Sequence, residues 1–158
     1  MSQLVRLIRI HPIGFVRTAA TEEELHRNRS GIISEVVLRR GLQRALDGIE
    51  EYSHIFVLFW MHLASQQERR KLKTHPRHRL DLPEVGIFSV RERSRPNPIG
   101  LAVVELLERR KNVLKVRGLD ALDGTPVLDI KPYDYIDIKK NIRVPSWWLK
   151  AHRRLGSR

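Results

Sequence analysis

Short apolar runs separated by turn-forming residues constrain the fold of this chain more than any other feature. Segment 53–63 is rich in branched and aromatic residues with almost no polar break. Four further runs lie at 85–90, 101–107, 113–119 and 127–130, and loops rich in arginine, proline and glycine separate them. Runs of this length between turn signals indicate strands. The pattern therefore predicts a β protein in which 53–63 is a central strand buried on both faces.

The rest of the chain adds short elements. Segments 13–17 and 34–38 read as strands, and 133–138 alternates apolar residues with aspartate. Thr21 followed by glutamates predicts a helix start, and segment 41–46 has the spacing of a short amphipathic helix. No strands alternate with long helices, which argues against a doubly wound sheet. We predict a mainly β, single-domain fold over residues 1–158: a closed or nearly closed β-barrel of about seven strands with short helices and a basic C-terminal tail.

Positive charge is the second signal. Thirty lysines and arginines against eighteen acids give a net charge of +12. A surplus of this size indicates an anionic partner, most commonly nucleic acid, although a solvated basic surface is the plain alternative. We favour nucleic acid because the surplus is clustered in segment 69–79 and again in 139–158.

Several classes of protein are excluded or disfavoured. The chain has no cysteine, which excludes thiol nucleophiles and cysteine metal sites and fits a reducing cytoplasm. The longest apolar run, 55–61, is far shorter than the roughly 20 residues of a membrane span. His75 and His78 lie among arginines without a carboxylate to complete a metal site. We expect a cytoplasmic protein with no membrane or metal partner.

Two stiff polar loops, 91–100 and 123–133, have the character of binding-site walls. Pro96 and Pro98 restrict the backbone on both sides of Asn97, so that side chains there point in fixed directions. The arginines of the first loop suit carboxylate or phosphate, and a structural turn with solvated arginines is an equally good interpretation. In the second loop the Asp-Gly pair at 123–124 predicts a turn.

Asp129 and Lys131 follow that turn closely, ahead of Pro132. If the aspartate is buried and paired with the lysine, the pair is costly unless it has good partners or a function. His62 ends the long apolar run, and we interpret it as pocket lining.

Three stretches together resemble the TsaA-like family, whose characterised type is TrmO, a tRNA N6-methyltransferase that uses S-adenosylmethionine. They are YSHIFVLFWMH at 52–62, GIFSVR with RPNPIGL within 86–101, and LDALDGTPVLDIKPY at 119–133. The resemblance implies a β-barrel methyltransferase, usually a homodimer with the cofactor near the subunit interface. It further implies methylation of N6 in threonylcarbamoyl-adenosine beside the tRNA anticodon.

The same resemblance implies roles for individual residues. Arg91 is expected to hold the cofactor's carboxylate, and Asp129 is one candidate for the proton acceptor, beside a substrate group or water. Family members commonly carry Pro-Arg-Gln ahead of the first cofactor loop, whereas this chain has HRNRSG at 26–31, a departure that bears on the choice of substrate. The expected cofactor contacts are Ser30, Gly31, Ile32, His62, Arg91, Leu101, Asp123, Gly124, Thr125 and Pro126. The residues expected to bind RNA are Arg69, Arg70, Lys71, Lys73, Arg95, Asn97 and Lys131.

The sequence thus supports three hypotheses. The first is an S-adenosylmethionine-dependent methyltransferase acting on tRNA. The second is a basic β-barrel that binds structured RNA without catalysis, and the third is a methyltransferase acting on a small molecule. The two stiff loops argue for the enzyme over the binding module, and the clustered charge argues for RNA over a small substrate.

Overall fold

A computed structural model describes residues 7–152. Its contacts group the chain into two compact units. The first, which we call the barrel unit, contains the chain up to residue 60 and residues 101–133. The second, which we call the loop unit, contains residues 61–100 and the chain from 134 onward. The predicted single domain stays a prediction.

The barrel unit is built on a closed β-barrel, as the sequence predicts. Its six strands follow the order β1-β2-β7-β6-β3-β8, and β8 returns to β1. The barrel therefore has one strand fewer than the seven predicted, and two further strands, β4 and β5, form a separate small sheet. The strands are β1 Gly14–Arg17, β2 Ile33–Leu38, β3 His54–Trp60, β4 Lys73–Thr74, β5 Val85–Gly86, β6 Ile99–Arg110, β7 Val113–Arg117 and β8 Pro126–Pro132.

Alternation along each strand builds the core of the barrel. In β3 the side chains of Ile55, Val57 and Phe59 are buried, whereas Phe56 and Leu58 between them are half-buried. The predicted burial of both faces is thus corrected, because a closed barrel gives each strand one inner and one outer face. The core residues with no exposed surface are Val16, Val36, Ile55, Val57, Val104, Leu114, Val116, Leu119 and Val127.

A β-bulge in β6 places an arginine on the inner face of the barrel. Leu106 pairs with Val116, but Glu108 pairs with Lys115, so one extra residue is inserted into β6. Arg109 then pairs with buried Leu114, and its side chain is only 14% exposed. Because paired side chains share a face, the bulge is what turns this guanidinium inward.

Arg109 holds the connection between β2 and β3. Its guanidinium donates to the Leu46 carbonyl at 3.1 Å, to the Gln43 carbonyl at 3.1 Å and to Asp47 Oδ1 at 2.9 Å. The helix predicted over 41–46 is a 3₁₀ helix, Arg40–Leu46, whose last carbonyls these bonds satisfy. The Asp47 carboxylate raises the pKa of Arg109, which keeps the inward guanidinium charged.

Helix α1, Glu22–Asn28, begins where the sequence predicts it. Thr21 Oγ1 accepts a hydrogen bond from the Glu24 amide at 3.2 Å, and Glu24 Oε2 accepts one from the Thr21 amide at 2.8 Å. This reciprocal capping box satisfies two amides that the helix itself cannot. The bonds from Thr21 lower the pKa of Glu24.

The loop unit contains little regular structure. Two segments that were predicted to be strands form mainly 3₁₀ turns instead. Segment 85–90 forms only the two-residue strand β5 before a 3₁₀ turn, Ile87–Ser89. Segment 133–138 forms a 3₁₀ turn, Tyr135–Asp137, because Asp134 Oδ1 accepts from the Ile136 amide at 2.7 Å. A short carboxylate side chain that bonds nearby amides competes with strand pairing, and alternation alone does not reveal it.

Helix α2, Ser146–His152, ends the described part of the chain. Arg77 donates to the Ala151 carbonyl at 3.0 Å, and Lys150 Nζ lies 3.3 Å from Asp81 Oδ2. The predicted basic tail lies partly outside the described residues. Between residues 7 and 152, no helix has the length and apolar character to cross a membrane.

Candidate functional site

The turn that joins β7 to β8 carries four of the predicted cofactor residues, 123–126. The Gly124 amide donates to the Val16 carbonyl at 2.8 Å, and the Val16 amide donates to the Thr125 carbonyl at 2.9 Å. Gly124 has a φ of 72°, a conformation that glycine adopts without strain. The turn is therefore fixed to β1 by backbone bonds on both sides.

Asp123 lies at the exposed tip of this turn. Its Oδ1 accepts a hydrogen bond from the Thr18 amide at 3.0 Å. Thr125, two residues further on, is 3% exposed and packs into the barrel. The turn thus presents one carboxylate at a position fixed by the segment that follows β1.

The second predicted cofactor segment, 30–32, follows α1 in the same unit. The Gly118 amide donates to the Ile32 carbonyl at 2.9 Å, and Arg29 Nη1 lies 3.1 Å from Asp120 Oδ2. Ser30 Oγ donates to Asn28 Oδ1 at 3.1 Å. Residues 118–120 lead directly into the Asp123 turn. The predicted cofactor segments 30–32 and 123–126 are therefore both attached to the connection between β7 and β8.

Leu101, another predicted cofactor contact of the barrel unit, lies on the outer face of β6 and is 58% exposed. Val103, two residues later on the same face, is also exposed. This outer face offers apolar surface, but within residues 7–152 no backbone hydrogen bond joins Leu101 to the Asp123 turn.

Asp129 and Lys131 form the predicted pair, and it is exposed rather than buried. Lys131 Nζ lies 3.2 Å from Asp129 Oδ2, and the two side chains are 63% and 49% exposed. A bulge explains the difference: Leu58 pairs with Asp129 and Phe59 with Val127, so Leu128 is the extra residue in β8. The bulge turns both charged side chains to the outer face, and the pair avoids the cost of burial.

In the loop unit, Arg95 holds the turn that precedes Arg91. Its Nη2 donates to the Ile87 carbonyl at 3.1 Å and to the Val90 carbonyl at 2.5 Å. Arg95 is half-buried, and its Nε has no hydrogen-bond partner among the described residues. Two of the guanidinium's hydrogen bonds thus shape the loop, and the predicted contact of Arg95 with RNA stays a prediction.

The other predicted residues of this loop are exposed. Arg91 and Asn97 are exposed, and the Asn97 carbonyl accepts from the Ile99 amide at 2.7 Å. The Met61 amide donates to the Pro98 carbonyl at 2.7 Å. This bond joins Met61 to the end of the loop, and the exposed His62 is the next residue after Met61 in the chain.

The basic segment 69–73 is bound to the same loop. Arg69 Nε donates to the Pro96 carbonyl at 3.1 Å, and Arg93 Nε lies 3.1 Å from Glu68 Oε1. The amide and hydroxyl of Ser65 and then Arg93 lower the pKa of Glu68 to about 2. Glu68 is therefore ionised at neutral pH and anchors one end of the segment.

Two acidic residues in this region were not singled out by the sequence, Glu68 and Glu92. Glu92 Oε1 accepts from the Arg77 amide at 3.1 Å, and its Oε2 accepts from the Thr74 hydroxyl at 3.2 Å. Arg77 has a φ of 56°, so Glu92 holds a strained position. In the sequence, the feature that could have indicated these two residues is that each acid lies beside arginines in a basic segment.

Across residues 7–152, no group of three or more histidine or acidic side chains is placed to hold a metal ion.

Comparison with known proteins gives a consistent result. Residues 23–138 match the family described as the tRNA-methyltransferase O N-terminal domain. A probable S-adenosyl-L-methionine-binding protein of Methanothermobacter thermautotrophicus is 48% identical over 134 residues, which cover 83% of this chain and 93% of that protein. A mouse tRNA (adenine(37)-N6)-methyltransferase is 41% identical over 104 residues, 65% of this chain and 23% of its own.

A solved structure agrees with the fold. The crystal structure of TrmO from Pseudomonas aeruginosa matches with a TM-score of 0.70 and 31% identity, over 88% of this chain and 62% of that chain. The present chain thus spans about three fifths of the solved protein's length.

Proposed function

The chain belongs to the tRNA-methyltransferase O N-terminal domain family, and on that premise we propose that it is an S-adenosylmethionine-dependent methyltransferase acting on tRNA. The family match and the names of the relatives support the enzyme class and the cofactor predicted from the sequence. The observation that carries the proposal is the Asp123 turn, which fixes one exposed carboxylate on a strongly basic protein.

The residues present fit the chemistry of this cofactor. S-adenosylmethionine carries a positive sulfonium, and a protein with a net charge of +12 attracts it only where a carboxylate is close by. Asp123 supplies such a carboxylate in the barrel unit. A Cβ added at Gly124 would meet no atom within 4 Å, so the backbone of the turn is open to a ligand. Arg91 lies in the loop unit and is exposed, and its expected role toward the cofactor's carboxylate stays a prediction.

Catalysis then rests on positioning. When bound, S-adenosylmethionine supplies a methyl group for in-line displacement from sulfur. Positioning is the main means of acceleration for such a transfer, and the backbone bonds that fix the turn at 123–126 hold the Asp123 carboxylate in one place. The attacking amine loses a proton, and Asp129 stays a candidate acceptor. Its carboxylate is half exposed beside Lys131, so water reaches it as readily as substrate does.

Calorimetric titration with S-adenosylmethionine tests the cofactor site. We expect saturable binding to the wild type and at least tenfold weaker binding to Asp123→Ala. Asp123→Asn retains an oxygen to accept the Thr18 amide but loses the charge, so a similar loss in this variant assigns the effect to charge. Binding to Asp123→Ala as tight as to the wild type would contradict the assigned site.

For the substrate, we propose N6 of threonylcarbamoyl-adenosine beside the anticodon. The mouse relative's name, which specifies N6 of adenine 37 in tRNA, and the basic surface of this chain support this target. The test is incubation with tRNA and S-adenosylmethionine, followed by digestion and mass spectrometry of the nucleosides. We expect one added methyl on the threonylcarbamoyl nucleoside. Transfer to a small molecule alone, with tRNA unchanged, would contradict it.

We also propose a homodimer in the cytoplasm. Apolar side chains on the outer face of the barrel support self-association, since Phe15, Leu101 and Val103 are each between 45% and 58% exposed. Sedimentation at several protein concentrations measures the oligomeric state, and a monomer throughout would rule the dimer out.

A further inference from the structure

Phe88 is the feature of the loop unit that the proposed chemistry leaves unexplained. It lies at the centre of the 3₁₀ turn Ile87–Ser89 and is 82% exposed, whereas its neighbour Ile87 is 2% exposed. Scattered apolar residues on a surface are ordinary, but an aromatic ring held outward on a rigid turn is a specific arrangement.

Three hydrogen bonds make the turn rigid. Arg95 Nη2 donates to the carbonyls of Ile87 and Val90, one on each side of the aromatic residue. The Ile87 amide donates to the Leu72 carbonyl at 2.9 Å, which fixes the turn to the basic segment 69–73. The ring therefore loses little backbone freedom when it contacts a ligand, and a contact made by a preorganised group is stronger for that reason.

Cations without side-chain partners lie on the segments next to the turn that presents the ring. Lys73 pairs with Gly86, two residues before Phe88, and Lys71 precedes the residue whose carbonyl holds the turn. Within residues 7–152, the side chains of Arg70, Lys71, Lys73 and Arg91 form no ion pair or hydrogen bond. In the same unit, by contrast, Arg79 lies 2.6 Å from Asp81 Oδ2.

We propose that Phe88 stacks on an unpaired RNA base, while the phosphates on either side of that base bind Arg70, Lys71 and Lys73. This inference rests on the proposed RNA substrate and names the residue that contacts it. Single-stranded nucleic acid is bound by this combination of exposed aromatic rings and cationic side chains, since every base has a π-face and every linkage a phosphate. The adenine of S-adenosylmethionine fits this cluster less well, because that cofactor has no phosphate and would leave Arg70, Lys71 and Lys73 without the anions that RNA supplies.

The proposal also gives Arg95 a role in the loop itself. It acts as a positioning residue, which sets the direction of Phe88 by bonding the two carbonyls beside it. Lysine has a single ammonium group and no planar fork, so it does not reproduce these bonds.

The test uses a short RNA hairpin with an unpaired loop that carries 2-aminopurine, together with a fully paired RNA duplex. We expect Phe88→Ala to bind the hairpin roughly tenfold or more weakly, to lose the fluorescence change that reports stacking, and to bind the duplex as the wild type does. Phe88→Trp retains a stacking surface and is expected to restore both hairpin signals. Leu80→Ala is the matched control, because Leu80 is 83% exposed in the same unit and is expected to have no effect.

The measurements distinguish the ways in which the proposal could be wrong. Hairpin binding by Phe88→Ala equal to the wild type, with binding lost in Arg70→Ala/Lys71→Ala/Lys73→Ala, would overturn the stacking role and leave the RNA substrate intact. A wild type that binds S-adenosylmethionine but neither RNA would overturn the tRNA substrate and the stacking role together. A change in sedimentation of Phe88→Ala, with RNA binding retained, would instead assign the ring to contact with a second copy of this chain. Circular dichroism and S-adenosylmethionine titration of each variant exclude a general loss of fold.

Discussion

Arginine side chains in this protein have two distinct roles. Arg95 and Arg109 donate to backbone carbonyls and shape the chain around them. Arg70 and Arg91 are exposed and form no side-chain bond within the described part of the chain. Only the second group is available to an anionic ligand, so a count of positive charge overstates the number of residues that contact RNA.

Glu68 is the residue whose ionisation is expected to make the stability of the protein depend on pH. Its pKa falls from an ordinary value of 4.5 to about 2, chiefly through the Ser65 amide and hydroxyl and then Arg93. A lowered folded-state pKa stabilises the protein above the unfolded value, and this contribution is lost as the pH falls through 4.5 toward 2. We expect the Glu68 carboxyl to titrate near pH 2 in a carbon-detected NMR experiment.

Glu68→Gln supplies the control for that titration. The wild type is expected to unfold at a higher denaturant concentration than the variant at neutral pH, and the difference is expected to shrink as the solution is acidified. A difference that stays constant from pH 7 to about pH 2 would mean that the charge of Glu68 contributes nothing to stability.

At the scale of elements, β-bulges decide which side chains enter the barrel. The bulge in β6 turns Arg109 inward, where it holds the 3₁₀ helix before β3. The bulge in β8 has the opposite effect and turns Asp129 and Lys131 outward. One inserted residue thus changes the chemical character of a strand beyond it.

Gly14 allows a close approach between β1 and β2. A Cβ at this position would lie 2.2 Å from the Val37 carbonyl oxygen and 2.8 Å from the Leu38 Cα, both of them backbone atoms. We expect Gly14→Ala to lower the free energy of unfolding by about 1–3 kcal/mol, as overpacking does, measured by urea denaturation. Gly41→Ala is the control, since its Cβ would meet nothing within 4 Å, and equal effects of the two substitutions would contradict the steric explanation.

Much of the fold could be predicted from the sequence because its strands are marked by local signals. Apolar runs and the turn residues between them indicated the barrel, and Thr21 with Glu24 indicated α1. The bulges could not be predicted, because they depend on the register of the partner strand. The short turns of segments 85–90 and 133–138 depend on hydrogen bonds that Arg95 donates and Asp134 accepts. A pattern of apolar residues does not reveal such bonds.

The candidate site was predictable only in part, for a related reason. The Asp-Gly turn at 123–124 is a local signal, and the structure contains it. The identity of the available cations depends on which arginines have carbonyl or carboxylate partners far along the chain, as Arg69 does at Pro96. The apolar pattern of segment 85–90 predicts a strand and does not indicate that the Phe88 ring is exposed.

At the scale of the whole molecule, net charge predicts a strong dependence of RNA binding on salt. Each phosphate neutralised by a cation releases counterions, and single strands give a slope of about −0.7 per contact in a plot of log affinity against log salt. We expect Arg70→Ala/Lys71→Ala/Lys73→Ala to reduce the magnitude of that slope by roughly 2, measured by fluorescence anisotropy between low and moderate salt.

A matched variant separates this local effect from net charge. Lys139→Ala/Lys140→Ala/Arg143→Ala removes the same three charges from another part of the loop unit. It is expected to change the slope by clearly less. Equal changes in the two variants would mean that RNA responds to the overall charge and that segment 69–73 has no special part in binding.

Closure of the barrel has a consequence for behaviour under stress. Each of the six strands has a neighbour on both sides, although β1 and β8 pair only at Gly14–Val127 and Phe15–Pro126. Closure therefore leaves little unpaired backbone along the barrel. The separate pair β4 and β5 is only two residues long on each side, too short to template an added strand. Although apolar side chains remain exposed on its outer face, the native barrel has little strand edge on which amyloid-like stacking could begin, and the short β1–β8 pairing is where we expect the barrel to open first.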